Sequence, residues 1–344
     1  MIKSVLFFLL LIISTSSFSA DYSVFVIHSY EQGTWTKEGT EGIKKAFSEA
    51  NVQAIIHEEI YDYTKIISSD DKSKKINHIL SRVKILNPSL IILFDDEATE
   101  VMLPSLNKLS LPIIITGINK DKNDFDKIVS TSNGVKNFTV IFERYPFEQS
   151  LKMLKQIKPS VTHIDILTSE NETSRIVSNQ FKEKFKSYRG SFSGIKLGKI
   201  NISSSWETWK KIIKSNNFSN RAFWILVPWN VNDQAGKEVD LRVIGDFYRN
   251  NSRIPEIGIV NINDKLGFVA SFSVGAEDLG YQSGQIGIKV LKDKIVPGLI
   301  PYTNNNLVRF VINKRRADQL NIPIPKEFLD FAKIEKKIPM DNFR

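Results

Sequence analysis

Short apolar runs that alternate with helical patterns constrain the fold of this 344-residue chain more than any other feature. The first unit starts with the apolar run 23–28, continues through the polar loop 29–36, and reaches a helical pattern around Ile43 and Phe47. A strand that is apolar on both faces is typical of a parallel sheet covered by helices on both sides. Because similar units recur with short connections, the sequence predicts an α/β fold with right-handed crossovers.

The same reading gives the order of the elements. It predicts strands at 23–28, 52–61, 90–94, 111–117, 138–142, 163–168, 194–200, 222–227, 255–260, 266–272 and 307–312. It predicts helices at 71–86, from 95 onward, and at 146–157, 172–186, 203–214, 234–250 and 277–291, with a short last helix ending near 332. The polar stretch 119–136 is expected to connect two lobes. Two consecutive α/β groups of similar size predict a cleft between them.

The first residues have the pattern of a secretory signal peptide. Lys3 precedes the apolar run 5–13, which is shorter than the roughly 20 residues that a membrane helix requires. The small residues Ser17 and Ser19 predict cleavage after Ser19, which removes residues 1–19. No later segment is apolar enough to span a bilayer, so we expect a periplasmic or secreted protein that does not span the membrane after processing.

Composition excludes several function classes. The chain has no cysteine, which excludes disulfides, thiolate zinc sites and a lipid anchor on cysteine. It has 47 basic and 38 acidic residues, but its lysines are mixed with acids and form no basic stripe with aromatics. This pattern indicates a solvated surface rather than a nucleic-acid partner. The histidines lack metal-ligand spacing and no phosphate-binding loop is found, so we expect no metal and no cofactor.

Polar side chains follow several predicted strands, where ligands of open α/β sheets bind. In the first half, Ser29, Tyr30 and Trp35 offer hydroxyl groups and an aromatic wall, although helix capping and loop packing would also explain them. Asp95 and Asp96 follow the strand 90–94. We expect one of them to cap the next helix and the other to hold a ligand ammonium or hydroxyl group, and the sequence leaves open which does which.

Further candidates end other strands. Trp229 is the most distinctive, because a large aromatic residue in a polar loop usually covers something, either a ligand or a neighbouring loop. The remaining candidate ligand-binding residues are Thr116, Glu143, Ser169, Asn230, Ser271 and Ser273. Trp206 and Trp209 have helical spacing and are expected in the core. Gly280, Gly284 and Gly287 predict a close helix–helix contact.

Several segments together resemble a known family. They are His28-Ser29-Tyr30 with Trp35-Thr36, Asp95-Asp96-x-Ala98, Pro228-x-Asn230, and the C-terminal segments 267–271, 279–284 and 322–325. In this order and spacing, the chain resembles the bacterial solute-binding proteins of ABC transporters that have the type I periplasmic-binding-protein fold. It is most similar to the subgroup also found as sensing modules of signalling proteins. Many transport members carry small residues where this chain has Asp95-Asp96-Glu97, a feature that resembles sensor-type relatives.

The resemblance implies two Rossmann-like lobes with parallel sheets, joined by a three-strand hinge. Lobe 1 would comprise 21–117 plus 274–301, and lobe 2 would comprise 118–273 plus 302–344, with hinges near 117–120, 272–275 and 301–305. It implies a protein that closes on a small organic ligand, amino-acid-like or otherwise amphipathic, and delivers it to an ABC permease. The alternative is a periplasmic sensing protein that acts in trans on a membrane sensor kinase or cyclase. An enzyme is disfavoured, because no nucleophile–base pair or metal cluster is apparent.

Overall fold

The computed structural model describes residues 21–66, 68–130, 137–259 and 266–328, together with the backbone of 337–339. The predicted signal peptide and the predicted end of the last helix near residue 332 lie outside these residues. No helix within the described ranges is long and apolar enough to cross a membrane.

The described elements follow the predicted alternation of strands and helices. The strands are β1 Tyr22–His28, β2 Ala54–Ile60, β3 Leu90–Phe94, β4 Ile113–Ile118, β5 Phe138–Phe142, β6 His163–Thr168, β7 Ser191–Phe192, β8 Ile195–Ile202, β9 Arg221–Ile225, β10 Glu256–Gly258, β11 Ala270–Ser273, β12 Thr303–Asn304, β13 Leu307–Ile312 and β14 Lys337–Pro339. The helices are α1 Thr34–Glu49, α2 Ser69–Leu86, α3 Asp96–Leu106, α4 Lys122–Ser130, α5 Phe147–Ile157, α6 Glu172–Ser187, α7 Trp206–Ser215, α8 Leu241–Asn251, α9 Ala276–Leu291 and α10 Lys314–Gln319.

The strands form two sheets, which confirms the predicted two-lobed α/β class. The first sheet has six parallel strands in the order β12-β5-β4-β3-β1-β2. The second has eight strands in the order β14-β13-β11-β10-β9-β6-β8-β7, and it is parallel from β8 to β11. Its antiparallel parts are the β7–β8 hairpin and the edge formed by β13 and β14.

Two helices of the first lobe approach each other unusually closely. A Cβ atom on Gly280 of α9 would lie 1.9 Å from the carbonyl oxygen of Gly39 in α1, and one on Gly42 would lie 2.0 Å from that of Glu277. Side chains at these positions would force the helices apart. The predicted close contact at Gly280 and Gly284 is therefore confirmed, since a Cβ on Gly284 would lie 2.6 Å from that of Ala46.

The first boundary between the lobes differs from the expected one. We expected the chain to leave the first lobe near 117–120, but β5 pairs with β4 in the first sheet. The polar stretch before β5 contains α4, whose Phe125 packs with ring centroids 5.8 Å from Phe142 and 6.0 Å from Tyr302. The crossing comes after β5, because Phe147 of α5 already stacks on Trp224 of the second sheet at 5.6 Å.

The chain crosses between the lobes at two further places. One lies between β11 in the second sheet and α9, which packs on the first sheet, and the other lies between β12 in the first sheet and β13 in the second. The short strand β12, expected in the second lobe, belongs to the first. Three chain segments therefore join the lobes, as the predicted hinge requires.

One predicted helix starts later than expected, and one short strand was not predicted. The predicted helix 234–250 begins only at α8, because Asp233 Oδ1 accepts the N–H groups of Ala235 and Lys237 and Gly236 has a left-handed φ of 77°. The hairpin strand β7 was not predicted. It depends on the positive φ angles of Ser193 and Gly194, which form a two-residue turn.

The tryptophans of α7 lie where the sequence predicted. Trp209 is fully buried and Trp206 nearly so, against residues such as Phe223 and Ile244. They belong to the core of the second lobe and not to a site.

Candidate functional site

Ser29 joins the first strand to the start of α3. Its Oγ donates a hydrogen bond to the carbonyl oxygen of Phe94, at 2.7 Å, and accepts one from the N–H of Ala98, at 2.8 Å. It therefore satisfies a free N–H group in the first turn of α3, as a capping residue would. In this conformation Ser29 therefore acts as a helix cap, which was one of the two roles expected for it. The helix it caps is α3, which comes much later in the sequence, and not the helix α1 that follows it.

Asp95 occupies the N-cap position of α3, but its side chain makes no capping hydrogen bond. The prediction that Asp95 or Asp96 caps this helix is therefore wrong, because Ser29 supplies the acceptor instead. Asp95 has a left-handed φ of 68°, and its carboxylate accepts the indole N–H of Trp35 at 3.1 Å and 3.3 Å. Gly117 lies against it, and a Cβ there would be 2.7 Å from Asp95 Oδ1.

Asp96 holds the loop that follows β4. Its Oδ2 accepts the N–H of Asn119 at 2.8 Å, and its Oδ1 accepts that of Lys120 at 3.2 Å. Asp95, in contrast, lies among other acids. Burial raises the pKa of Asp95 well above its ordinary value, and the negative charges of Glu97 and Glu143 add to the effect.

Glu97 and Tyr30 form a second part of the cluster. The hydroxyl of Tyr30 donates to Glu97 Oε1 at 3.0 Å, while Glu97 Oε2 has no hydrogen-bond partner among the described residues. Burial, with Asp96 nearby, raises the pKa of Glu97 to about 7. The sequence analysis missed Glu97 as a site residue, although it directly follows the two predicted acids.

Glu143 follows β5 and is the predicted site residue nearest the first crossing. The hydroxyl of Tyr145 donates to its Oε1 at 2.6 Å, and the amide of Asn119 reaches its Oε2 at 3.4 Å. Burial raises the pKa of Glu143 to about 7. Tyr145 and Asn119 were not predicted; the available signal was that each lies just past the end of a strand.

We call the buried carboxylates Asp95, Asp96, Glu97 and Glu143, with the side chains that contact them, the acidic cluster. Three aromatic side chains donate hydrogen bonds into it, from Tyr30, Trp35 and Tyr145. Carboxylates next to aromatic rings favour a cationic group with an apolar body.

The second lobe covers the first beside this cluster. Gln180 of α6 donates to the carbonyl oxygen of Asn119 at 2.6 Å, and Glu172 at the start of α6 forms an ion pair with Lys120. Tyr30 also lies within hydrogen-bonding reach of Thr173. The two lobes are therefore in contact across the cleft, with α6 acting as the cover.

The remaining second-lobe candidates are not part of the acidic cluster. Ser169 is buried and accepts the side-chain N–H of Asn171, which caps α6. Trp229 is 37% exposed in the loop after β9, and Asn230 is exposed, with its backbone N–H bound to Glu238. The roles proposed for these residues stay predictions.

Thr116, Ser271 and Ser273 are fully buried at the ends of β4 and β11. Their hydroxyl oxygens have no hydrogen-bond partner among the described residues. Buried polar groups are usually paired, so unpaired ones mark positions open to a ligand or water.

Two surface cavities lie elsewhere. One of about 770 Å³ is lined by residues including Phe142, Arg144 and Tyr302, and one of about 510 Å³ lies beside Arg249 and Arg315. Neither is lined by a carboxylate of the acidic cluster, whose four acids are all buried. In the part of the chain that the structure describes, no group of histidines or carboxylates is arranged to hold a metal ion.

Two parallel α/β lobes joined by three crossings define the class of type I periplasmic binding proteins. The family model described as ABC transporter substrate binding protein matches residues 25–336, and the chain belongs to this family. A search of curated proteins found no match. The resemblance inferred from the sequence is thereby confirmed at the level of the family.

Solved structures share the fold at low sequence identity. A domain from Streptococcus pneumoniae in complex with L-Trp is 18% identical, covering 90% of this chain and 98% of that one, with a TM-score of 0.62. The ligand-free, open structure of a Clostridium difficile substrate-binding protein with adhesive properties is 15% identical, covering 88% and 96%, also at 0.62. A sugar-binding protein from Bacillus halodurans is 13% identical, covering 87% and 100%, at 0.59.

The family defines the general role. Its members are binding proteins rather than enzymes, they bind small ligands and work with ABC transporters, and they are typically extracytoplasmic. The protein is therefore a substrate-binding protein of the ABC transporter type.

Proposed function

We propose that this protein closes on a small organic ligand, amino-acid-like or otherwise amphipathic, and delivers it to an ABC permease. The observation that carries the proposal is the contact of α6 with the first lobe beside the acidic cluster, through Gln180 and Glu172. A ligand bound among the aromatic and acidic side chains would be enclosed by this contact, and the closed form would be the signal to the permease.

The chemistry of the cluster supports an amine-bearing ligand. Tyr30, Trp35 and Tyr145 place aromatic rings beside the carboxyl groups, and Asp95 and Glu143 supply acceptor oxygens. An ammonium group next to an aromatic face gains about 0.5–2 kcal/mol, with more where the site is desolvated. The similar S. pneumoniae domain holds L-Trp, which makes amino compounds the first ligands to test.

A ligand screen by thermal unfolding tests the proposal. Amino acids, amines, nucleosides and sugars are added to the purified chain lacking residues 1–19, and a ligand present at 100 times its Kd should stabilise the protein by about 2.7 kcal/mol. Small-angle scattering should show the protein becoming more compact with that ligand. Absence of stabilisation by every class would contradict the proposal.

Two matched variants separate the site from the rest of the first lobe. Tyr30→Phe removes the hydroxyl that donates to Glu97, whereas Tyr281→Phe removes one that donates to Glu49 on α1, outside the cluster. We expect Tyr30→Phe to weaken ligand binding and Tyr281→Phe to leave it unchanged. Equal effects of the two variants would remove Tyr30 from the site.

The alternative role, sensing in trans, is supported by Asp95-Asp96-Glu97, which resembles sensor-type relatives. The two roles differ in their membrane partner. A permease whose ATP hydrolysis rises on addition of the ligand-bound protein supports delivery. A sensor kinase or cyclase whose output changes instead supports sensing.

We also propose that residues 1–19 are a signal peptide and that the mature protein is periplasmic or secreted. The apolar run after Lys3 and the small residues Ser17 and Ser19 support this. Mass spectrometry of the exported protein should give a chain that begins at Ala20. A full-length cytoplasmic product would contradict it.

A further inference from the structure

The acidic cluster carries more negative than positive charge. Asp95, Asp96, Glu97 and Glu143 are each no more than 6% exposed, and the basic side chains next to them are Lys120 and Arg144. Unpaired buried carboxylates are costly, because desolvation penalises their charged form. A cationic ligand would relieve this cost, as protonation of the carboxylates also does.

Arg144 is held by the backbone. Its guanidinium donates to the carbonyl oxygens of Ile118 at 3.0 Å, Asn119 at 3.2 Å, Lys120 at 2.8 Å and its own neighbour Glu143 at 2.7 Å. These bonds fix the loops after β4 and β5. The charge of Arg144 offsets part of the cluster, but its donors are committed to the backbone and do not point to a ligand.

Lys120 is also engaged. Its ammonium pairs with Glu172 of the covering helix and lies 3.5 Å from Glu100. It therefore bridges the lobes and serves carboxylates of the protein itself. Within the described residues of the cluster, no basic group is left to bind the carboxylate of a ligand.

The unpaired atoms of the cluster are acceptors. Glu97 Oε2 and Asn119 Oδ1 are buried without a hydrogen-bond partner among the described residues, although the other polar atom of each side chain is bonded. Asn119 is 5% exposed, and its amide nitrogen contacts Glu143, so its free oxygen lies within the cluster. What this site lacks is hydrogen-bond donors with positive charge.

We propose that the ligand is an organic cation without a carboxylate, such as a primary amine, a diamine or a guanidine, rather than a zwitterionic amino acid. This rests on the proposed function and narrows its ligand class. A ligand carboxylate placed here would meet four protein carboxyl groups and no free cationic donor, so the site selects by repulsion as well as attraction. The ammonium or guanidinium group would take the free acceptors of Glu97 and Asn119.

Matched pairs of ligands that differ only by a carboxylate test the proposal. Tryptamine and L-tryptophan, tyramine and L-tyrosine, agmatine and L-arginine, and cadaverine and L-lysine are titrated calorimetrically into the purified mature protein at pH 8. At that pH Glu97 and Glu143, whose pKa values are about 7, are largely ionised and the amines are protonated. We expect the decarboxylated member to bind at least tenfold more tightly in the pairs that bind.

The outcomes distinguish this inference from the proposed function. If an amino acid binds as tightly as its decarboxylated partner, or more tightly, the inference is overturned while a small-molecule binding function stands. If neither these compounds nor any class in the ligand screen binds, both are overturned.

Variants sharpen the result. Glu143→Gln should reduce the preference for the decarboxylated member at least fivefold, whereas Glu183→Gln, on the exposed face of α6, should leave it unchanged. Lys120→Gln removes the ion pair with Glu172 of the covering helix, so it should weaken binding of the two members of a pair to the same extent. If it abolishes binding of an amino acid instead, Lys120 holds a ligand carboxylate and the inference is wrong. Thermal unfolding of each unliganded variant establishes that it is folded.

Discussion

Asp165 and Glu256 of the second lobe are as deeply buried as Asp95 and Glu143 of the first, at 1% against 3% exposed. Their surroundings differ. Asp165 accepts hydrogen bonds from Arg221 and from the N–H of Lys199, and Glu256 forms an ion pair with the buried Arg316. The carboxylates of the first lobe receive aromatic and amide donors instead, at Asp95 from Trp35 and at Glu143 from Tyr145.

The pKa values of Asp165 and Glu143 show this difference most clearly. Burial raises the pKa of Asp165, but its hydrogen bonds from Arg221, Lys199 and Asn216 outweigh burial and hold the pKa below its ordinary value. At Glu143 burial prevails and the pKa rises to about 7. Glu256 lies between these cases, since burial still raises its pKa although Arg316 opposes the rise. Asp165 and Glu256 therefore each have a cationic partner, whereas Asp95 and Glu143 accept their hydrogen bonds from neutral groups.

The largest expected effect comes from breaking a pair in the second lobe. Arg316→Met leaves Glu256 buried without its cation, and it also removes the donors to the carbonyl oxygens of Ser252 and Arg249. We expect the free energy of unfolding to fall by about 3–5 kcal/mol, measured by urea denaturation. Adding Glu256→Leu should restore most of this loss. A loss below about 1 kcal/mol in the single variant would show that Glu256 does not depend on Arg316.

The next prediction is that stability depends on pH through the buried acids Glu97 and Glu143 of the first lobe. Glu97 and Glu143 have folded pKa values of about 7, above their ordinary 4.5. Between these values the folded state binds more protons than the unfolded state, so the free energy of unfolding of the unliganded protein falls as pH rises from about 4.5 to 7. One such group accounts for about 3 kcal/mol at full effect. Affinity for a cationic ligand should change in the opposite direction and rise through pH 7.

Denaturation at several pH values, with and without Glu97→Gln and Glu143→Gln together, measures this dependence. The double variant should lose the part of the slope that Glu97 and Glu143 supply, while Asp95, whose pKa is also raised, keeps its own contribution. Asp165 serves as the contrast, because its pKa is lowered and its contribution to stability is lost only below its ordinary 3.8. Stability of the unsubstituted protein that is constant or increases from pH 5 to 8 would contradict the pKa values assigned to the cluster.

A smaller effect on stability, different in the two lobes, should follow when one buried carboxyl group is replaced by an amide. Asp95→Asn keeps the shape of the side chain and removes an acid whose charged form burial penalises, so we expect the unliganded protein not to lose stability at pH 8. The affinity for an amine should fall 10–100-fold. Asp165→Asn, which weakens the bonds from Arg221, should destabilise the protein instead. If both variants lower stability, the contrast between paired and unpaired carboxylates does not hold.

The sequence predicted the bounds of strands and helices more reliably than the way in which they pack into two sheets. The strands β3, β5 and β6 have the bounds predicted, and β3, which is buried on both faces, is apolar at every position. The apolar pattern does not show to which sheet β5 belongs. It depends on Phe125 and Tyr302, which are far apart in sequence and pack around Phe142.

The site was partly predictable for a similar reason. Asp95 and Glu143 were found because they directly follow apolar strands, and parallel strands bring their carboxyl ends together. Their partners depend on loop conformation, which the pattern does not specify. The left-handed φ of Asp95, the absence of a Cβ at Gly117 and the turn that brings Tyr145 back to Glu143 decide those contacts.

The smallest effect concerns Trp229, which the sequence placed in the site and the structure leaves 37% exposed. If the second lobe contributes an aromatic wall, Trp229→Ala should lower ligand affinity by about 1 kcal/mol, since an aromatic contact is worth about 0.5–1.5 kcal/mol. Stability should change by less than about 0.5 kcal/mol, because surface substitutions rarely cost more. The control is Phe218→Ala, an aromatic residue 64% exposed in the loop before β9, whereas Trp229 lies in the loop after that strand. Titration calorimetry with the bound amine decides the question, because unchanged affinity in both variants would leave α6 as the part of the second lobe that covers the ligand.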